Sequence, residues 1–355
     1  MTRKEFLTFV ASFDLSYKKL HKLFEFFTQE DFSFDILKSP DFVSIVGKEQ
    51  TDEMLKNANM SYIENFENKL IEDKIKLVSF EDENYPKSLL NIEDAPYFLF
   101  CKGDLGLLNS KSIAIIGTRT PTGYGKIVTE KFAKELAQNG VTIISGLAYG
   151  IDSISHRAAL EVGGKTIAVL GGGFDKIYPS EHTDLAREIA EKGLLVSEYS
   201  PKVLPTRFTF PHRNRIVAGL SDGVLITEAG EKSGTIITKD YALDNGITVY
   251  AVPGNITSEK SKGPNNIILH SQGYCVLSAK DILDDIGIDF QKSKKVIQLS
   301  IDEQKIVDLL EDGEKDIEFL SEKTKMNIKN LNSLLVNLEI RDIIKKITGE
   351  KYMLV

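Results

Sequence analysis

The side chains best suited to binding chemistry lie in a stretch without any acidic residue, between Glu198 and Asp222. Basic and aromatic residues are interspersed there, in the order Lys202, Arg207, Phe208, Phe210, His212, Arg213 and Arg215. Guanidinium groups beside aromatic rings suit a phosphate backbone with bases stacked nearby. A charge run is often only a solvated face. This run contains no acid although the chain has a net charge of −8, so we favour a binding role.

Two glycine-rich loops provide a second set of candidate groups. Residues 112–116 and 141–145 are short apolar runs typical of buried parallel strands, and glycine-rich loops follow both. The carboxyl ends of such strands share one edge of the sheet, where ligands bind. Helix N-termini at that edge offer free N–H groups to phosphate. Arg119, in the first loop, adds a cation and favours an anionic ligand.

The same loops argue against the familiar nucleotide folds. The first loop is not G-x-G-x-x-G, and Ser145-Gly146 stands where an acid would hold a ribose hydroxyl. The sequence G-x-x-x-x-G-K-[ST] of the P-loop is also absent. The pattern therefore predicts an anion site of a different kind.

Two later loops could complete this edge. Residues 170–179 contain three consecutive glycines, Lys176 and Tyr178, which suit either close approach to a ligand or a plain strand-to-helix turn. Residues 227–235 contain Glu228 and end in Ser233-Gly234-Thr235, whose N–H groups could hold a phosphate. Glu228 suits a general base or a partner that orients Arg213 or Arg215, and we favour the second role.

Asp152 and His156 are four residues apart and would share a helix face. They could form a catalytic pair. We favour the interpretation in which Asp152 caps the helix and His156 fills a polar pocket.

The elements that must position these groups follow a regular order. Residues 1–75 show helical spacing of phenylalanine and leucine, which we interpret as the core of a small bundle rather than a stacking platform for bases. Residues 76–110 form a bridging segment with two strands. Alternating strands and helices up to residue 290 predict a Rossmann-like, doubly wound parallel sheet. After a linker at 291–299, residues 300–355 predict a winged helix, starting with a capping box from Ser300 to Glu303.

Composition narrows the class of protein. With 44 basic and 52 acidic residues, the chain is not a globally basic nucleic-acid coat, so any such site is a local patch. Cys101 and Cys275 stand alone in apolar runs, which predicts buried thiols in a reducing compartment. The sequence contains neither a signal-peptide pattern nor a membrane-spanning run, so we expect a cytoplasmic protein. No spacing indicates a metal site, and no cofactor is expected.

Taken together, the loops resemble the DNA-processing protein A family, also called Smf. The resemblance spans about 110–290 and rests on six groups of residues: Gly117-Thr118-Arg119; Ser145-Gly146-Leu147-Ala148 with Gly150-Ile151-Asp152 and His156; Gly171-Gly172-Gly173 through Tyr178-Pro179; Phe210-Pro211-His212-Arg213-Asn214-Arg215-Ile216; Glu228-Ala229 with Ser233-Gly234-Thr235; and Val252-Pro253-Gly254.

The resemblance implies a DNA-binding protein that is not an enzyme. Such proteins bind incoming single-stranded DNA during natural transformation, shield it and help to load the RecA recombinase, usually as homodimers through the Rossmann-like domain. By this likeness the phosphate contacts would come from Arg119, Lys176, Arg213 and Arg215, and the pocket would be lined by Ser145, Gly146, Ser233 and Gly234. The matched motifs add Gly117, Thr118, Tyr178, Phe210 and Asn214 to the expected DNA site, with Asp152, His156 and Glu228 as orienting residues.

Two other functions remain open from the sequence. The first is a nucleotide-cleaving hydrolase related to the lysine-decarboxylase-like phosphoribohydrolases, although the Pro-Gly-Gly-x-Gly-Thr signature of that group is absent. The second is a regulator that binds DNA through its winged helix and carries an inert Rossmann-like body. Residues from Lys294 onward include 11 Lys/Arg and 12 Asp/Glu, which favours protein contact over DNA contact for that module.

Overall fold

The computed structural model describes residues 1–27, 33–231, 233–291, 299–341, 343–347 and 351–354. The chain divides into two compact units, Met1–Ser293 and Lys294–Val355. Most of the expected linker at 291–299, Lys232 and the expected hairpin turn at 348–350 lie outside the described residues.

The first unit begins with short helices, as the phenylalanine spacing predicts. They are α1 (Arg3–Ala11), α2 (Tyr17–Phe26), α3 (Pro40–Val46), α4 (Lys48–Lys56) and α5 (Met60–Glu72), with a 3₁₀ turn at Phe34–Lys38. Phe6, Phe9 and Leu23 are almost fully buried in one core that also includes Phe98 and Phe100. The aromatic side chains are therefore core residues, which confirms the bundle interpretation.

A nine-stranded sheet forms the body of this unit. Its strands are β1 (Lys76–Ser79), β2 (Phe98–Gly103), β3 (Ser112–Ile116), β4 (Thr142–Ser145), β5 (Thr166–Val169), β6 (Leu194–Ser197), β7 (Gly223–Ile226), β8 (Thr248–Ala251) and β9 (Tyr274–Cys275). Their order across the sheet is β1-β2-β6-β5-β4-β3-β7-β8-β9. The seven strands β3 to β9 are parallel to one another. Strands β1 and β2 extend the sheet beyond β6 in antiparallel pairing.

Helices on both faces bury this sheet. They are α6 (Gly123–Gln138), α7 (Ile151–Glu161), α8 (Thr183–Lys192), α9 (Thr209–Gly219), α10 (Gly234–Asp244), α11 (Lys262–Leu269) and α12 (Ala279–Asp285). Every residue of β3 through β7 is buried, as expected for strands covered on both faces. The predicted doubly wound, Rossmann-like fold is thus confirmed.

The path of the chain creates one switch point. From β3 the strands follow outward to β6, and the chain then returns to place β7 on the other side of β3. The helices that follow β3 and β7 pack on opposite faces of the sheet, and open α/β sheets bind ligands at such a switch point.

The second unit is the predicted winged helix. Helices α13 (Ile301–Glu311), α14 (Ile317–Thr324) and α15 (Ile328–Ile340) accompany strands β10 (Lys315–Asp316), β11 (Ile344–Ile347) and β12 (Lys351–Leu354), which pair in the order β10-β12-β11. The Ser300–Glu303 capping box is present, with both reciprocal hydrogen bonds formed. The short strand β10 was not predicted, because two residues carry no detectable alternation.

One prediction about the cysteines is confirmed and one is wrong. Cys101 is buried in β2, and burial raises the pKa of its thiol. Cys275 is exposed in β9, which is the last strand of the sheet among the described residues. Both cysteines are free thiols, with no disulfide between them.

Candidate functional site

A cavity of about 780 Å³ opens at the switch point of the sheet. Ten of the predicted site residues line it: Gly117, Arg119, Gly146, Asp152, Tyr178, Phe210, Arg213, Asn214, Ser233 and Gly234. They come from loops after β3, β4, β5 and β7 and from α9, segments that span more than a hundred positions of the sequence. We call this cavity the switch-point pocket.

Arg213 is the structural centre of the pocket wall. Its side chain is buried, and Nη1 donates to the carbonyl oxygens of Gly146, at 2.8 Å, and Val169. The guanidinium group thereby ties the ends of β4 and β5 together. Burial lowers the pKa of Arg213 to about 10, and the nearby Asp152 opposes this shift, so the group stays charged at neutral pH.

Asp152 closes the loop that Arg213 fixes. Its Oδ2 accepts from the backbone N–H of Gly146 at 3.1 Å and of Ala148 at 3.4 Å. Asp152 lies inside α7, so the expectation that it caps this helix is wrong; it holds the preceding loop instead. Gly146 has no room for a side chain, because an added Cβ would lie 2.7 Å from Cζ of Arg213. On this side of the pocket, the side chains of Arg213 and Asp152 therefore hold the backbone of Gly146 in one position.

Two other arginines of the pocket are exposed, unlike the buried Arg213. Arg119 lines the pocket from the first loop and Arg207 from the segment before α9, and both side chains are exposed. Arg207 lies over the ring of Phe208, with its Cζ 4.6 Å from the ring centroid. Among the described residues, Arg119 has no hydrogen-bond or ion-pair partner. Both groups are available to an anionic ligand.

The fourth loop presents the N-terminus of α10 to the same pocket. Ser233 is the N-cap residue, and its hydroxyl accepts from the backbone N–H of Thr235 at 3.3 Å. Gly234 is exposed, and an added Cβ there would meet nothing within 4 Å. The backbone N–H of Gly234 and the positive end of the helix dipole are therefore available at this pocket, whereas the N–H groups of Ser233 and Thr235 are already bonded.

Glu228 does not orient an arginine, so that prediction is wrong. Its two carboxylate oxygens accept from the backbone N–H and the hydroxyl of Thr122, at 2.9 and 2.6 Å. Thr122 in turn caps α6 through the backbone N–H of Gly125. Glu228 thus fixes the first loop, next to Arg119. No local pattern indicated this pairing, since Thr122 and Glu228 are 106 positions apart.

Arg215 is not available to a phosphate, contrary to expectation. Its side chain is only 2% exposed and pairs with Glu198. It is absent from the lining of the pocket because residues two apart on a helix point about 200° apart, so Arg213 and Arg215 cannot share a face. The carboxylate that orients Arg215 is therefore the acid that precedes the acid-free stretch.

Four more predicted residues lie away from the lining. Lys176 is exposed on the third loop, outside the pocket. Ser145 is buried, and its hydroxyl donates to the carbonyl of Ile115 at 2.7 Å. Thr118 is buried, and its backbone N–H donates to the carbonyl of Glu228 at 2.7 Å. His156 is fully buried, as described next.

His156 fills an internal polar site and does not pair with Asp152. Its Nδ1 lies 2.6 Å from the hydroxyl of Thr166, which donates its own proton to the carbonyl of Ile143. The imidazole therefore donates through Nδ1, and its Nε2 has no partner among the described residues. Burial lowers the pKa of His156 to about 3, so the ring is neutral at pH 7.

The three glycines of the third loop serve packing rather than ligand approach. An added Cβ at Gly171 would lie 2.6 Å from the ring of Phe210, and one at Gly172 would lie 2.7 Å from the backbone of Pro205. The loop therefore packs directly on the segment that leads into α9. Tyr178 remains at the pocket, with its ring centroid 5.2 Å from that of Phe210.

Sequence reasoning missed one cation. Nζ of Lys260 lies 3.2 Å from the hydroxyl of Thr118 and 3.0 Å from that of Thr120, on either side of Arg119. Lys260 comes from the segment after β8, and no local pattern indicated that this segment folds back onto the first loop. Its charge adds to the positive potential at the pocket mouth.

Two further observations concern only the described residues. No cluster of His, Cys, Asp or Glu there could hold a metal ion. No helix there is long and apolar enough to cross a membrane.

The fold and the pocket together define a doubly wound α/β protein with a cationic, amide-lined site at its switch point. Residues 76–287 match the family model for the DNA recombination-mediator protein A, and the chain belongs to that family. It is 43% identical over 217 residues to the DNA processing protein DprA of Bacillus subtilis, a match that covers 61% of this chain and 72% of that protein.

Solved structures agree with this assignment. The DNA processing protein A of Streptococcus pneumoniae superposes with a TM-score of 0.69 at 35% identity, over 82% of this chain and 99% of that one. The protein of the same name from Helicobacter pylori, described by its single-stranded DNA binding mode, gives a TM-score of 0.56 at 34% identity, over 61% of this chain and 98% of that one.

Proposed function

We propose that the switch-point pocket binds single-stranded DNA through its phosphates, without regard to sequence. The convergence of Arg119, Arg207 and Arg213 with the N-terminus of α10 on one cavity carries this proposal. Asp152 is the acidic residue among those that line the cavity, and its carboxylate already accepts from two backbone N–H groups. A flexible single strand can bend to bring its phosphates onto these groups, and the Helicobacter pylori relative is described by its single-stranded DNA binding mode.

A gel-shift series with single- and double-stranded oligonucleotides tests this proposal. The parent protein should bind the single strand more tightly, and the double variant Arg119→Ala/Arg207→Ala should lose most of that affinity. Arg187→Ala, which removes an exposed arginine of α8 that does not line the pocket, is the matched control. Equal binding of the single strand by the parent and the double variant would refute the assignment of the pocket.

We further propose that binding leaves the covalent bonds of the strand intact. Glu228, the candidate base for a hydrolase, is held by Thr122, and His156 is buried away from the pocket. These contacts support a binding role over nucleotide cleavage. Release of free base from nucleoside monophosphates by the pure protein, lost in Glu228→Gln, would overturn this part of the proposal.

The biological role we propose is protection of incoming DNA during transformation and delivery of the strand to the RecA recombinase in the cytoplasm. Membership of the family supports this role. The protein should accelerate RecA filament assembly on strands already coated by single-strand-binding protein, and Arg119→Ala should reduce the acceleration. No acceleration at any protein concentration would contradict the delivery role but leave DNA binding untouched.

We also propose a homodimer formed through the Rossmann-like body. At the β9 edge of the sheet, Leu269, Tyr274 and Leu277 are each at least 65% exposed. Exposed apolar groups beside an unpaired strand edge indicate an interface. Leu277→Arg should shift the protein from dimer to monomer in analytical ultracentrifugation, whereas Leu90→Arg, at an exposed leucine before β2, should not.

We treat residues 1–75, 76–290 and 300–355 as separate functional parts, with the winged helix making protein contacts. Removal of residues 296–355 should then leave most single-strand binding in place. Loss of all binding on this truncation would favour the alternative in which the winged helix is the DNA reader.

A further inference from the structure

A second cavity lies on the other side of the N-terminus of α9, between the first two helices and the end of β6. Its volume is about 570 Å³, within the range of small-molecule sites. Aromatic and acidic side chains dominate its lining: Asp14, Tyr17, Tyr97, Glu198, Tyr199 and Phe208. We call it the aromatic cleft. The proposed function does not use it.

The start of α9 connects the aromatic cleft to the switch-point pocket. Arg207 lines the pocket and Phe208 lines the cleft, and the two side chains are in cation–π contact. Phe208 is 71% exposed, which is unusual for a phenylalanine, and so its ring is free to stack. A strand held by its phosphates at Arg207 would pass directly beside this ring.

The carboxylates of Asp14, Asp94 and Glu198 are the groups of the cleft that can only accept hydrogen bonds. The carboxylate of Asp14 accepts from the backbone N–H of Ser200 and has further lone pairs available. Oε1 of Glu198 accepts from Arg215, and its Oε2 lies 3.5 Å from Nδ1 of His212, so both oxygens already face basic side chains. Asp14 is therefore the carboxylate of this wall that can accept from a ligand that donates N–H groups.

The acids also decide which part of a strand can enter. Asp14 and Asp94 carry the excess negative charge of the cleft, because Glu198 is paired with Arg215, and the lysine among the lining residues is Lys18. Phosphates are repelled from such a site and stay at the arginines of the switch-point pocket. Bases carry no charge and present N–H donors along their pairing edges.

We propose that one nucleobase of the bound strand inserts into the aromatic cleft, stacks on Phe208 and donates hydrogen bonds to the carboxylate of Asp14. Guanine fits best, because its ring N–H and its amino group are adjacent donors that a carboxylate accepts together. Thymine fits worst, because it offers one N–H between two carbonyl oxygens that would face the carboxylate. This inference rests on the proposed function and adds a base preference to it.

Fluorescence anisotropy with short oligonucleotides tests the inference. An oligothymidine carrying one central guanine should bind about tenfold more tightly than oligothymidine alone, since the new hydrogen bonds go to charged acceptors. Replacing that guanine by hypoxanthine, which lacks the amino group, should remove part of the gain. Asp14→Asn should abolish the preference for guanine and leave the affinity for oligothymidine unchanged.

The controls separate this inference from the proposed function. Asp35→Asn neutralises an exposed carboxylate that does not line the cleft and should keep the preference. Phe208→Ala should weaken binding of the guanine-containing strand more than that of oligothymidine. Equal affinity of the parent for both strands, with binding still dependent on Arg119, would overturn the base site alone. Normal binding by Arg119→Ala would instead refute the proposed function.

Discussion

The substitution Arg119→Ala provides the sharpest test of the switch-point pocket. Arg119 is exposed, lines the cavity and, among the described residues, has no partner that its loss would leave unpaired. Glu228 and Thr122 fix the neighbouring loop independently of its side chain. The variant should therefore fold with unchanged stability and lose only one positive charge from the pocket.

The magnitude of the effect follows from counterion release. Each phosphate neutralised on a single strand contributes about −0.7 to the slope of log K against log salt. Two exposed arginines, Arg119 and Arg207, line the pocket, which gives a slope of about −1.4, and removing Arg119 should change it to about −0.7. Between about 50 and 200 mM salt, the affinity should then fall about 7-fold for the parent and about 2.6-fold for Arg119→Ala.

Anisotropy titrations of a labelled oligothymidine across this salt range measure both slopes. Arg187→Ala should keep the parent slope, because Arg187 lies on α8 and pairs with Asp184. A variant whose affinity falls while its slope stays at the parent value would show that Arg119 acts on the shape of the loop. An unchanged affinity and slope would mean that the strand does not reach the first loop.

Two further substitutions test the wall around Arg213 and the buried histidine. Gly146→Ala should displace the Arg213 guanidinium and lower DNA affinity at least tenfold in the same titration, whereas Gly123→Ala, where an added Cβ meets nothing within 4 Å, should bind normally. His156 has a pKa of about 3 when folded and about 6.5 when unfolded, so only the unfolded chain gains its proton as the pH falls between these values. Stability should therefore decrease by about 2 kcal/mol from pH 6.5 to 5 on account of this group. Urea denaturation of His156→Asn should lack that component; an identical pH dependence in both proteins would contradict the buried neutral ring.

The order of the elements and the location of the site could be predicted from sequence because both depend on local patterns. Apolar runs such as residues 112–116 predict buried strands, and the glycine-rich loops that follow such strands meet at one edge of a parallel sheet. Arg119, Arg213 and Ser233 could be assigned to a common edge for this reason. The location of these loops at one edge of the sheet could therefore be predicted without knowing any contact between residues distant in sequence.

The partners of the charged groups could not be predicted, because they depend on contacts between distant segments. Glu228 bonds to Thr122 across 106 positions, and Lys260 bonds to Thr118 across 142. The cost of burying a charge decides these pairings, and that cost depends on which groups the tertiary fold buries. Glu228 was assigned to Arg213 or Arg215 because closely spaced arginines need a carboxylate, but Glu198 is the acid that pairs with Arg215.

The acid-free stretch shows how helix geometry resolves what composition leaves ambiguous. The sequence suggested a single basic patch. In the structure, Phe210, Arg213 and Asn214 of α9 line the switch-point pocket, whereas His212 lines the aromatic cleft. Glu198, the residue that closes the stretch on its N-terminal side, folds back to neutralise Arg215. One helix therefore separates a positively charged cavity from an acidic one, and a polynucleotide, with charged phosphates and neutral bases, is a ligand whose two parts match those two cavities.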